Sequence, residues 1–559
     1  MKKNIKFIIA IFLIVIVMTI FINKKEGFHE DEMFSYGSSN YKYDNVYRQY
    51  GKMDEVNTLL TTKVISSNLG ETVKNFKYYF LDNPEEKEKI IKQIEESEVP
   101  IWRTSDEAKE YLNIDKEDIL NYPMVYYNQL RDVHPPLFYF LVHTASIVFY
   151  GHFSKYIIFI INIIFLILSC ISLKKIMEKL NKKHLELPAI LLYGLSMGAI
   201  STVMFQRMYM VLTFFVLEFL AINLDIINNN YDIDKRTWIK LGIITILGFL
   251  TQYYFCIIAV LIALIIFINI IRKKDKNKAI KYIFNYMKIA IIGLLIFPFS
   301  IQHIFFSYRG VSSFGIEENY FGRLKEYIEL IGYSFSIPTI LLIVVILLLI
   351  GMILYNLIKS KTKIKTQHLI LTIPFGLFII LIAKIAPAQR VNDSLRYIMC
   401  VLPIITIVFL MMIDSTIKNK KHIEIIFSSL IIVLSIYGLI TSKPMFLYEG
   451  YNKYIEIANT YKDDKFVFIG NTVFNQIQNM QEFAIYSESM ILNETQIDVL
   501  ANDEKIKQTD EFILSIKKYL GAENLLNEVL EKTGFQSYEI LLDDTGDVSC
   551  IIYKIKREK

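Results

Sequence analysis

The sequence predicts a polytopic α-helical membrane protein that ends in a small α/β domain. Of 559 residues, 53% are hydrophobic, and the mean hydropathy is +0.36, above that of ordinary soluble domains. The apolar residues gather in about eleven runs that approach the roughly 20 residues a bilayer core requires. These runs stop near residue 445, and the remainder is soluble in character.

The expected spans are 7–22, 155–173, 186–205, 208–227, 239–254, 255–271, 287–303, 331–357, 368–386, 397–413 and 423–441. The first keeps a basic front (Lys2, Lys3, Lys6) and lacks a small-residue cleavage site, so it reads as a retained anchor. Orientation follows from the basic loops. Lys174, Lys175, Lys179, Lys182 and Lys183 form one cluster, and Arg272, Lys273, Lys274, Lys276 and Lys278 a second. Lys359, Lys361, Lys363 and Lys365 form a third, and Lys418, Lys420 and Lys421 a fourth. All four share the cytoplasmic side if the spans alternate as given. The N-terminus is then inside and the C-terminus outside; Lys24 and Lys25 fall outside and are outvoted.

The apolar segment 137–150 is too short to cross, and crossing would move every later cluster outside. It is expected to be an interfacial helix started by Pro135 and Pro136. The chain then divides into a membrane module over 1–445, with a large first outer loop at 23–154, and an extracytoplasmic domain over 446–559. Within the loop, Pro84 to Ser97 reads as a helix. In the terminal domain Lys465 to Gly470 reads as a strand, Thr472 to Phe483 as a helix, and Glu511 to Thr533 as two helices. Tyr538 to Leu542 and Val548 to Ile555 read as strands about the turn Asp543-Asp544-Thr545-Gly546.

The four Cys are too scattered for a disulfide framework or thiolate metal site; Cys170, Cys256 and Cys400 fall in apolar runs as packing residues. The net charge of +5 is small, and no nucleic-acid partner is expected. No glycine-rich phosphate loop occurs in the right context, so a cytosolic nucleotide is not implied.

Polar residues concentrate at the outer ends of the spans. His29-Glu30-Asp31-Glu32 follows the first span, where anionic headgroups would repel carboxylates. His134, Arg207, Gln252 with Tyr253, Gln302 with His303, Lys384, Arg390, Asp393 and Arg396 lie on the same face. The bland reading is a solvated acidic loop with arginines snorkelling to headgroups. The economical reading is one anionic-ligand site, because a guanidinium donates paired, charge-assisted bonds to phosphate. Glu218, deep in a span, reads as a structural group paired within the bundle.

Three pieces together resemble the GT-C fold glycosyltransferases related to protein O-mannosyltransferases and the lipid A aminoarabinose transferases. Asp31-Glu32 resembles the acidic pair of that group. Asp132-Val133-His134-Pro135-Pro136-Leu137 resembles its DVHPPL-type motif. Arg207-Met208-Tyr209 is similar to its RMY-type segment. Gln252-Tyr253-Tyr254 and Arg396-Tyr397 with Pro403 are weaker echoes; relatives more often carry His where Gln252 stands. The resemblance covers about 1–440, and residues 41–130 look like an insertion, expected to shape the acceptor entrance.

The resemblance implies an integral plasma-membrane glycosyltransferase. It would move a hexose or pentose from a polyprenyl-phosphate donor to a hydroxyl acceptor on the outer face, with inversion. Asp31 would be the general base and Glu32 its support. His134, Arg207, Tyr209, Gln252, Tyr253, Arg396 and Tyr397 would bind donor phosphate and sugar. His29 with Asp31 could hold a divalent cation, though adjacent residues cannot all face one ion. The rival readings are a lipid-linked-sugar transporter or flippase, which would place charges at the midplane, and a non-catalytic receptor.

Overall fold

The computed structural model describes residues 2–41, 63–66, 69–96, 100–130, 132–307, 319–360, 365–386, 391–417 and 422–558. Arg131, Arg390, Lys361, Lys363 and the cluster Lys418, Lys420, Lys421 lie outside the described residues, as do residues 42–62 of the expected insertion. The chain divides into two compact units.

The first unit comprises Met1–Ile22, Val133–Phe138 and Ile158–Met445 and is a multi-pass helical bundle. Among the described residues, eight helices are long and apolar enough to cross a membrane, or up to ten if each of two bent pairs is one span. The eleventh expected run, 239–254, is the helix Lys235–Thr251, whose 17 residues lie at the short end of what crosses a bilayer.

Three expected spans are corrected. The run 331–357 is two helices, Tyr320–Ser334 and Thr339–Ser360, bent by 98°. Ser336 takes a left-handed φ of 55°, and Ile337 precedes Pro338, whose ring excludes the helical region for the residue before it. The run 186–205 divides into Glu186–Gly194 and Met197–Met204, bent by 55°. There Ser196 caps the second piece, its hydroxyl accepting the Ala199 amide at 3.1 Å. The run 287–303 is displaced: the helix spans Lys276–Ile296 and stops before Pro298, and Gln302 with His303 belong to the short helix Ser300–Phe305.

Helix Tyr209–Asn228 is the most enclosed of the spans and packs against Lys235–Thr251, Tyr254–Arg272 and Thr366–Ile385. Its Glu218 accepts from the Ser172 hydroxyl at 2.7 Å and from Lys175 Nζ at 3.0 Å, so the carboxylate is paired within the bundle. Asp414, fully buried, is held by Lys182 and His184 at 2.5 and 2.7 Å.

The second unit comprises Asn23–Asp132, Tyr139–Ile157 and Phe446–Lys559. Among the described residues its sheet has six strands: β1 (Trp102–Thr104), β2 (Lys465–Ile469), β3 (Glu488–Leu492), β4 (Glu511–Lys517), β5 (Ser537–Asp543) and β6 (Cys550–Lys556). Their order is β1-β3-β2-β4-β6-β5. β3, β2 and β4 run parallel, with antiparallel strands at both edges. β1 comes from the expected insertion, and Trp102 Nε1 donates to Asp503 at 2.9 Å. The sheet is therefore built from two distant stretches of chain.

Glu511–Lys517 is a strand where a helix was expected. Its residues Phe512 to Lys517 are all buried, because a central strand is covered on both faces and shows no period-two alternation. β3 was not foreseen, for the same reason. The helix expected over Thr472–Phe483 is broken at Asn479 into Val473–Gln478 and Met480–Phe483. On one sheet face Val467, Met490, Phe512 and Leu514 pack with Leu526 and Val529 of helix Ala522–Thr533. On the other, Phe466 stacks on Tyr486 at 4.1 Å and Phe468 meets Phe483 edge-on.

Candidate active site

In the bundle, the expected donor-binding residues fall into two groups. Arg207 lies in the break between helices Met197–Met204 and Tyr209–Asn228, its backbone amide turned onto the Phe205 carbonyl at 2.7 Å. Its side chain is buried, and one terminal nitrogen stands 3.4 Å from Nε2 of His134. His134 belongs to the turn ahead of Pro135 and Pro136. Tyr209 begins the following helix and stacks on Phe205, centroids 5.7 Å apart. The DVHPPL-type and RMY-type pieces, 73 positions apart in the chain, are thus in contact.

The second group forms around the break after Thr251. Gln252 is buried, and its side-chain oxygen accepts the Tyr253 amide at 2.8 Å. The Tyr253 hydroxyl meets Nδ1 of His303 at 2.8 Å. Tyr254 packs edge-on to Tyr397 at 5.9 Å, and the guanidinium of buried Arg396 lies 5.3 Å from the Tyr397 ring centre. His303, which the sequence places only at the outer face, joins this group through Tyr253. Its contact with Tyr253 depends on the early end of helix Lys276–Ile296, which Pro298 announces.

The acidic residues belong to the second unit. Helix Glu30–Asn40 begins with a capping box. His29 Nδ1 accepts the Asp31 amide at 3.0 Å, and the Glu32 carboxylate accepts the His29 amide at 2.7 Å. Three carboxylates in the first turn suit the positive end of the helix dipole. Beyond that the pair divides. Glu32 is fully enclosed, whereas 14% of the Asp31 side chain is exposed. Lys25 Nζ donates to both Glu32 oxygens, at 3.1 and 2.9 Å, and to the Phe446 carbonyl at 2.6 Å. Burial pulls the Lys25 ammonium below the usual lysine range, against the opposing pull of Glu32. Lys25 carried no signal in the sequence beyond its nearness to the acidic run.

In this unit Asp132 accepts from the Tyr139 hydroxyl at 3.4 Å. His143 is buried with Nδ1 against the Ser39 carbonyl at 2.7 Å.

In the pair named for a divalent cation, His29 Nδ1 stands 3.8 Å from an Asp31 carboxylate oxygen. Among the described residues no group of three or more His, Cys, Asp or Glu is arranged to hold a metal. His29 Nδ1 is taken by the Asp31 amide and Glu32 by Lys25, and consecutive helical carboxylates diverge by about 100°.

No family model and no curated protein matches the chain. Among solved structures it is similar to ArnT from Cupriavidus metallidurans bound to undecaprenyl phosphate. The TM-score is 0.42 at 10% identity, covering 75% of this chain and 87% of that one. It is also similar to the Archaeoglobus fulgidus oligosaccharyltransferase in complex with Zn and sulfate. There the TM-score is 0.41 at 13% identity, covering 73% of this chain and 63% of that one.

Proposed function

We propose that this protein is a membrane glycosyltransferase that moves a sugar from a polyprenyl-phosphate donor to a hydroxyl acceptor on the outer face of the plasma membrane. The observation that carries the reading is the contact between Arg207 and His134, which joins two motif pieces distant in sequence.

The chemistry assigns each group a task. The acceptor oxygen attacks the anomeric carbon, and its proton passes to the Asp31 carboxylate. The bond from anomeric carbon to phosphate oxygen breaks, and the lipid phosphate leaves with one more negative charge. Arg207 and Arg396 stabilise that charge as it develops, and His134 donates from its ring. One displacement inverts the anomeric centre. Glu32, already bonded through both oxygens, serves as support and not as base.

The test is transfer itself. Membranes containing the protein are supplied with polyprenyl-phosphate sugars labelled in the sugar, and the label is followed to a hydroxyl-bearing product. Movement of label that disappears with Asp31→Asn supports the reading. Label that crosses the bilayer while still attached to its lipid would favour a flippase.

A further inference from the structure

The segment after the last span wraps the connection that leads into the acidic helix. The Glu26 amide donates to the Leu447 carbonyl at 2.9 Å, and the Gly450 amide to the Glu26 carboxylate at 2.6 Å. Gly27 lies so close that an added Cβ would stand 2.8 Å from the Tyr451 ring. His29 meets Phe446 and Tyr448 edge-on. Phe446 and Tyr448 both adopt left-handed backbone, φ 67° and 51°, a conformation unfavourable for a bulky side chain. The surrounding contacts must hold these conformations in place.

At the centre is Lys25, wholly enclosed, its ammonium between the rings of Phe28 and Tyr448. An ammonium has three N–H donors. Two go to Glu32 and one to the Phe446 carbonyl. The Lys25 carbonyl itself accepts from Lys155 Nζ at 2.6 Å. A buried cation with all its donors used is rigid, and from the connection 23–29 it bonds both the acidic helix and the strap 446–451.

We propose that Lys25 is a positioning residue that locks Glu32 and the strap together, fixing the first turn of helix Glu30–Asn40 so that Asp31 is the carboxylate presented to substrate. This rests on the proposed transferase reading for Asp31; the coupling of the strap to the helix does not.

Two measurements on the full-length protein in detergent or membranes test it. Amide hydrogen exchange reports the coupling without any substrate. In Lys25→Met, residues 26–33 and 446–451 lose protection together, while sheet strands β2 and β4 keep theirs. Loss confined to one of the two segments, or no change in either, overturns the proposal. The second measurement is a cycle of Lys25→Met, Glu32→Gln and the double variant in the transfer assay. Each single change lowers kcat on the order of 10²-fold, as expected for a displaced reacting group, with KM for the donor changing far less. The double variant loses no more than the worse single one, because both remove the same lock. Additive losses, or a rise in KM matching the fall in kcat, overturn it. If wild-type protein transfers nothing, the transferase reading falls, and hydrogen exchange still decides on the lock.

Discussion

A terminal nitrogen of Arg207 stands 3.4 Å from Nε2 of His134, and both belong to turns, not to the interiors of spans. The pair presents a cation beside an imidazole, an arrangement suited to a phosphate oxygen. Arg207→Ala should weaken donor binding and turnover together, by about 10- to 100-fold in kcat/KM, the size of one lost charge-assisted bond. Arg207→Lys should recover part of this, since the charge returns without the planar fork. The check is steady-state kinetics with varied donor. A variant with normal donor KM would remove Arg207 from the donor site.

The acidic pair should split in kinetics as it does in burial. Asp31→Asn keeps the shape of the first turn but removes the proton acceptor. Transfer should fall by at least about 10²-fold, the usual contribution of general base catalysis, with donor binding nearly intact. Glu32→Gln should cost kcat through displacement of the turn and should also lower thermal stability, because it leaves the Lys25 ammonium buried without its charge partner. Binding of labelled donor, measured beside turnover, separates the two. Full activity in Asp31→Asn would return the acidic run to an ordinary solvated helix start.

Glu482 gives the soluble part a pH dependence. It is buried, accepts from the Tyr451 hydroxyl at 3.2 Å, and burial pushes its carboxyl up to about 8 against the pull of Lys517. The folded state then holds a proton that the unfolded chain releases near 4.5. Stability from this group is full below pH 4.5, declines as pH rises from there to about 8, and is level above that. Glu482→Gln keeps the acceptor for Tyr451 and removes the titration. Its melting temperature should match wild type near pH 5 and exceed it near pH 8. Differential scanning fluorimetry across that interval is the check; parallel curves would show that the group does not titrate there.

The basic loops predict an orientation. A reporter active only in the cytoplasm, fused after Lys559, should give no signal, whereas the same reporter after Lys274 should be active. A strong signal from the C-terminal fusion would invert the spans and place Asp31 on the cytoplasmic face.

The sequence by itself determined that this is a multi-pass membrane protein, and it located most of the helices. Helix Ile423–Thr441 begins and ends where the apolar run does, because a span's length and composition answer directly to the bilayer. The motif pieces were also legible: Asp31 sits in a run of four ionisable residues, His134 stands ahead of two prolines, and Arg207 stands out between apolar runs. The breaks were readable in principle: Pro338 and Pro298 end helices by removing a backbone donor and restricting the residue before them. What only the tertiary structure decided is partnership. That Glu511–Lys517 is a central strand depends on cover from both sides, which short apolar runs do not reveal. That β1 joins a sheet more than 360 residues further along, and that Lys25 bonds Glu32 and Phe446 and not solvent, are long-range contacts. No local pattern encodes them, because burial of a polar group is set by what packs around it and not by its neighbours in sequence.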